Sequence, residues 1–200
     1  MARPREFDTE QALARIADVF WEVGYEATSI TDLEEATGLA RARLYAAYGS
    51  KVDMLHLAMD HYLDRSLEPI FARVEVGGLD GIVGWFSTMA ELRRVDPGKA
   101  TRGCLVVNSL VERANTDPEV SARGDRYRAR VRKVFTNALR TAHDAGDIDG
   151  GVEERATLLV MLLLGMFTSI KGAASPESVG RDAAAAVDLV NSWRVPAASR

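Results

Sequence analysis

Nowhere along the 200 residues do Val, Ile and Thr alternate with polar residues over a strand's length, whereas apolar residues recur three and four apart almost throughout. That periodicity predicts an all-α chain. The first helix follows Asp8, an N-cap with Gln11 three residues on, and runs to Val23 with Leu13, Ile16, Ala17, Phe20 and Trp21 on one face. Gly24 stops it. Thr28 or Ser29 caps a second helix to Thr37, Gly38 makes the turn, and a third short helix covers roughly Arg41 to Ala47. Ser50 caps a fourth, with Met54, Leu55, Ala58, Met59, Tyr62 and Leu63 in register, and Pro69 is expected to kink or end it.

Beyond Gly77-Gly78 the pattern gives a helix to about Val95, a loop at Asp96-Pro97-Gly98 and a helix from Gly103 to Asn115. Asp117-Pro118 opens a long helix to Ala145, with Gly146 just past its end, the usual punctuation by proline and glycine. Two further helices, Val152 to Ala173 and Pro176 to Trp193, bring the total to about nine. They divide into a three-helix module over residues 1–52, a larger helical domain over 53–195 and a loose tail, 196–200. Leu158 to Phe167 is apolar all round, which demands burial on several sides but is far short of the ~20 residues that cross a bilayer. Ala183, Ala186, Val187 and Val190 form a stripe that another helix can approach closely, so the two C-terminal helices are expected to join two copies in a four-helix interface.

Charge is unevenly placed. Residues 1–56 hold six basic and ten acidic side chains, so the whole net charge of −4 falls in that part. Yet from Ala36 to Val52 there is no acid, while Arg41, Arg43 and Lys51 are present, so one face can still be positive. The single cysteine, Cys104, excludes an intramolecular disulfide and a cysteine-rich zinc site, and His56, His61 and His143 lack metal spacing. No metal or cofactor is expected. With no His, Asp and Ser set at motif spacing and no phosphate-cradling glycine loop, an enzyme is not expected either. The N-terminal basic residues have no apolar segment behind them, which points to the cytoplasm.

The combination of an apolar helix, Gly24-Tyr25, Thr28-Ser29-Ile30, Gly38-Leu39, Leu44-Tyr45, Tyr48, Ser50-Lys51 and Leu55 resembles the N-terminal domain of the TetR family of repressors. The resemblance covers about residues 8–56. It implies a helix-turn-helix homodimer whose third helices enter successive major grooves of double-stranded operator DNA, while the larger domain binds a small, largely apolar effector that releases the DNA. A ligand-independent regulator or activator, or one sensing redox state through Cys104, is the alternative. The resemblance also places Tyr45, Tyr48 and Lys51 at the DNA backbone, and their hydroxyl and ammonium donors suit phosphate oxygens.

Other positions have readings from their own chemistry. Arg41 and Arg43 lie about 200° apart around the third helix, so one is expected to read a base and the other to take a phosphate. Ala42 and Arg43 stand where relatives commonly carry a small hydroxyl residue or glycine, and Ala40 replaces a hydroxyl cap, which predicts a frayed third helix. Thr28 and Ser29 at a helix N-terminus offer a phosphate site, and Arg3 and Arg5 a short basic arm.

In the larger domain, Trp85, Phe86, Met89, Cys104, Asn108, Tyr127, Phe135, Met161 and Phe167 are candidate effector contacts, though aromatic and methionine residues at helical spacing also build plain core. Cys104 precedes a helix, where the dipole with Lys99 and Arg102 would lower a thiol pKa; burial as a small apolar side chain is the other reading. Asn108 and Glu112 are four apart and suit either a ligand or an internal hydrogen bond. The arginine-rich run from Arg123 to Lys133 reads as a solvated or ion-paired face.

Overall fold

A computed structural model describes residues 9–95, 101–172 and 175–196. Asp8, Arg3, Arg5, the Asp96-Pro97-Gly98 loop, Lys99 and most of the tail lie outside the described residues. Within them the chain forms nine α-helices and one π-helical turn, with no strand.

The first three helices are α1 (Thr9–Val23), α2 (Ile30–Thr37) and α3 (Arg41–Tyr48), and α4 (Lys51–His61) closes the small module. Ile16, Phe20, Leu33, Leu44, Met54 and Leu55 are buried together at its centre. Two reciprocal caps fix where α2 and α4 begin. Ser29 accepts from the Asp32 N–H while Asp32 accepts from the Ser29 N–H, and Ser50 and Asp53 repeat the arrangement. Gly38, at φ 71°, takes the left-handed conformation that turns the chain from α2 into α3.

Pro69 does not end the fourth helix. After His61 the backbone passes through a π turn, Tyr62–Leu67, in which the Glu68 N–H reaches back five residues to the Leu63 carbonyl, and then continues as α5 (Glu68–Val95). In an α-helix the proline ring would collide with the carbonyl four residues back; the wider turn just before it relieves that clash. The true break comes at Gly78, whose φ of 56° and ψ of −135° lie outside the helical region, so α5 is two arms joined by a sharp bend.

The remaining helices are α6 (Leu105–Arg113), α7 (Pro118–Asp144), α8 (Val152–Lys171) and α9 (Pro176–Asn191). Asp117 caps α7 by accepting from the Glu119 and Val120 N–H groups, and Ser175 caps α9. Helix α5 packs on α7 and α9, and α7 on α8. Phe71, Trp85, Phe135 and Phe86 make a continuous aromatic chain between α5 and α7, with successive ring centroids 5.7, 5.4 and 6.4 Å apart. Among the described residues no helix is long and apolar enough to cross a membrane.

Phe135 is fully buried and touches both Trp85 and Phe86. Phe135→Ala is expected to cost about 3–5 kcal/mol, read as a lower urea midpoint at fixed protein concentration; a loss under about 1 kcal/mol would place the core elsewhere.

Candidate nucleic-acid interface and ligand cavity

Helix α3 buries Leu44 and Tyr48 and exposes the rest of its surface. At about 100° per residue, Ala42 and Ala46 lie opposite the buried pair, with Arg43 on one flank and Tyr45 on the other. The outward ridge is therefore two methyl groups bordered by a guanidinium and a phenol. Arg41 shares the Tyr45 flank, its guanidinium 6.0 Å from that ring. Ala46 carries no polar group and so gave no sequence signal, yet the geometry puts it at the centre of this face.

Ala40 offers α3 no side-chain cap, but the helix does not begin unsupported. The Glu34 carboxylate, reaching over from α2, accepts from the Arg41 N–H at 2.7 Å. A cap supplied from across the turn thus stands in for the local hydroxyl and opposes the expected fraying. Two of the expected DNA contacts turn inward. The Thr28 hydroxyl is buried and donates to the Gly24 carbonyl at 2.6 Å. Tyr48 is also buried, and its hydroxyl donates to the Thr9 carbonyl at 2.8 Å, tying α3 to the start of α1. Both hydroxyls are thus given to backbone carbonyls. Ser29 stays at the exposed start of α2, and the Lys51 ammonium lies 4.3 Å from the centre of the Tyr25 ring.

Several acids of the N-terminal module are engaged with the rest of the chain. Asp18 and Glu22 on α1 pair with Arg102, Glu26 with Arg113, and Glu10 with Arg65. Asp32, Glu34 and Asp53 accept from helix-start N–H groups. Most of the acids described in that part are thus engaged either in pairing with arginines farther along the chain or in capping. Glu112 also seats the module: its carboxylate accepts from the Tyr25 N–H at 2.9 Å, while the Arg113 guanidinium stacks 4.6 Å from the Tyr25 ring. Across from them, His56 meets Asp117 at 2.9 Å. Burial pushes the Asp117 carboxyl up, but hydrogen bonds from His56 and from the Val120 and Glu119 N–H groups outweigh it and hold it below its ordinary value.

A cavity of about 390 Å³ opens in the bend of α5. Leu67, Ile70, Arg73 and Val74 come from one arm, and Gly81, Gly84, Trp85, Thr88 and Met89 from the other. Its far end is closed by Tyr62 of the π turn, Gly103, Phe167 and Trp21 of α1. Trp21 donates from its indole N–H to the Gly103 carbonyl at 3.1 Å, packs edge-on to Tyr62 and carries the Arg102 guanidinium 5.6 Å from its ring centre.

Of the expected effector contacts, Trp85, Met89 and Phe167 line this cavity, whereas Phe86, Tyr127 and Phe135 are core behind it. Asn108 is buried and donates to the Arg102 carbonyl at 2.7 Å, holding the loop before α6 rather than facing the cavity. Met161 lies on the outer surface, 64% exposed, in a groove of about 670 Å³ between α8 and α9 that Leu158, Leu162, Met166, Ala185 and Leu189 also line. Trp21 and Tyr62 were missed because each reads as ordinary helical core until the bent α5 brings them together. The basic run on α7 is ion-paired: Arg123 and Arg126 meet Asp60, Arg128 meets Asp125, and Arg130 meets Glu68 and Glu75.

Cys104 is buried completely, so the expected lowering of its pKa is reversed. Burial pushes the thiol above its ordinary value, and the nearby Val107 N–H and the Tyr127 and Tyr62 hydroxyls offset this only in part.

Comparison with known proteins agrees with this geometry at both ends of the chain. Residues 12–58 match the family described as bacterial regulatory proteins, tetR family, and residues 85–186 match the tetracyclin repressor-like C-terminal domain. The chain is 35% identical over 152 residues to an uncharacterized HTH-type transcriptional regulator, YezE, of Bacillus subtilis strain 168, covering 75% of this chain and 77% of the relative. It is 27% identical over 182 residues to the HTH-type transcriptional repressor ComR of Escherichia coli K12, covering 88% and 86%. Among solved structures, a cysteine-substituted form of the TetR family regulator CifR, complexed with 26-base-pair operator DNA, superposes with a TM-score of 0.75. The two are 29% identical, over 94% of this chain and 98% of that one.

Two outcomes follow from the geometry. Glu34→Ala removes the substitute cap of α3 and is expected to cost about 1 kcal/mol in urea unfolding, with Glu34→Gln, which keeps an acceptor, losing less. The Cys104 thiol should resist Ellman's reagent at pH 7.5 in the native protein and release one equivalent of thiolate when the protein is denatured; rapid native labelling would show the thiol to be accessible.

Proposed function

The chain belongs to the TetR family of bacterial regulatory proteins and is a DNA-binding transcriptional regulator, and we propose that it is a homodimeric repressor that a small molecule releases from its operator. The observation that carries this reading is Trp21. One helix, α1, packs Ile16 and Phe20 into the DNA-binding module and turns Trp21 into the wall of the cavity in the larger domain. An occupant of that cavity touches the DNA-binding module directly. If it binds better when Trp21 has moved, it favours a conformation in which the module is reoriented, and the DNA-bound arrangement loses by the same differential affinity.

On the DNA side, α3 enters the major groove with Ala42 and Ala46 against the base edges, where a methyl group suits the thymine methyl. Arg43 on the flank pairs with guanine. Tyr45, Arg41 and Lys51, with the exposed start of α2 at Ser29, take phosphates on either side. The dimer forms through α8 and α9, whose outer groove leaves Leu158 38% and Met161 64% exposed in a single chain. A second copy covers them and sets the two α3 helices about one DNA turn, roughly 34 Å, apart.

Selection from random duplexes is expected to yield a two-fold symmetric site. On that site Arg43→Ala should weaken binding by about 5- to 150-fold, equivalent to 1–3 kcal/mol, with discrimination relaxed at one base pair per half-site. Undiminished affinity would remove Arg43 from the reading, and a monomer in light scattering at micromolar concentration would remove the dimer.

A further inference from the structure

Among the described residues the cavity has one charged side chain in its lining, and that side chain has no ion-pair partner there. Arg102, Arg113, Arg123, Arg130, Arg155 and Arg194 each meet at least one carboxylate. Arg73 meets none among the described residues, although it stands at the cavity rim on the first arm of α5. The other polar groups of the lining already have partners. The Trp21 indole N–H is given to the Gly103 carbonyl, the Thr88 hydroxyl to the Gly84 carbonyl at 2.8 Å, and the Tyr62 hydroxyl lies against Cys104. What remains among the described residues is an aromatic and aliphatic lining with one arginine, Arg73, at an exposed position of it.

We infer that the effector is an amphipathic anion: a flat aromatic or short apolar body that fills the cavity, carrying one carboxylate or similar oxyanion that Arg73 holds at the rim. The inference rests on the reading of this cavity as the effector site and adds the chemical class of its occupant. The interior supplies Trp21, Tyr62, Trp85 and Phe167, whose rings suit a planar partner. Among the described residues no carboxylate lines the cavity, so a cationic effector finds no counter-charge in that lining and is repelled by Arg73. A neutral apolar molecule would leave the guanidinium unused. An anion gains a charge-assisted, bidentate partner whose planar fork matches a carboxylate. The volume of about 390 Å³ falls at the small end of ligand sites, which run from about 300 to 1,000 Å³.

Gly84 provides the control. A Cβ added there meets nothing within 4 Å, so a larger side chain can occupy the cavity mouth without displacing the fold. Two dyes with one ring skeleton, 1-anilinonaphthalene-8-sulfonate and the uncharged N-phenyl-1-naphthylamine, are titrated by fluorescence into the full-length protein. The sulfonate is expected to bind at least five-fold more tightly than the neutral dye. Arg73→Gln should bring the two to parity, and Arg73→Lys should keep part of the difference. Gly84→Leu should weaken both dyes more than ten-fold, and Thr88→Trp, one turn further on the same face, does the same if Gly84→Leu folds poorly. Equal binding of the two dyes by the unaltered protein, or a preference for the sulfonate that survives Arg73→Gln, overturns the anionic assignment while leaving the cavity as the site. Binding of both dyes unchanged by the Gly84 and Thr88 variants overturns the reading of the cavity itself.

Discussion

The seat of α1 on the larger domain is the constraint on which the rest of the structure depends. One face of α1 builds the core of the small module, and the adjoining face carries Asp18, Trp21 and Glu22 to Arg102 and Gly103. A helix of 15 residues is too stiff to satisfy both faces independently. Whatever moves Trp21 moves Ile16 and Phe20, and through the Thr9 carbonyl it moves Tyr48 at the end of α3. The contacts that make the seat are weak singly: ion pairs near the surface contribute a few tenths of a kcal/mol to about 1 kcal/mol each. A seat assembled from such contacts holds one orientation without locking it.

The bent α5 does the complementary work. A straight helix of its length would present one ridge to its neighbours and leave no hollow. The break at Gly78 opens an angle between two arms, and the π turn before Pro69 swings Tyr62 and Leu67 into the space that results. Both irregularities border the cavity, as expected where backbone departs from the simplest helix for a functional reason. Behind them the aromatic chain from Phe71 to Phe86 is dense and closed. The cavity thus has two kinds of wall, one built on the aromatic core between α5 and α7 and one contributed by Trp21 of α1.

Much of the fold was legible in the sequence because its signals are local. Caps at Ser29, Ser50 and Asp117, the turn at Gly38 and apolar spacing on each helix act over a few residues, so most helices could be placed with their ends nearly right, the boundary between α4 and α5 excepted. The misplaced features share a different cause. Glu34 caps α3 from seven residues away, Tyr48 spends its hydroxyl on Thr9, and Pro69 is rescued by a widened turn, all through partners that no local window contains. The candidate cavity suffered most. Phe86, Phe135 and Trp85 have the same spacing signal, yet only Trp85 reaches the cavity, because which side of a buried helix faces a hollow is decided by the bend at Gly78. Net charge misled for the same reason: counting acids in residues 1–56 cannot show that Asp18, Glu22 and Glu26 face arginines of the other domain.

Magnitudes indicate whether so modest a seat can operate a switch. Moving a population from 1:99 to 99:1 takes about 5.5 kcal/mol of differential binding. Displacing Trp21 disrupts its hydrogen bond to Gly103, worth about 1 kcal/mol, and its stacking with Arg102, worth about 0.5–1 kcal/mol. The Arg102 pairs with Asp18 and Glu22 add a few tenths of a kcal/mol each. The sum is about 2–3 kcal/mol for one chain and, in the proposed homodimer, about 4–6 kcal/mol, close to what the proposed switch requires. A tighter seat would need an effector bound with correspondingly greater strain, and a looser one would leave α3 free to tumble and cost the module its orientation on DNA. Because the acids that pair with Arg102 are exposed, they add little to the apolar contact of Trp21 with Tyr62, and the seat of the proposed switch stays modest.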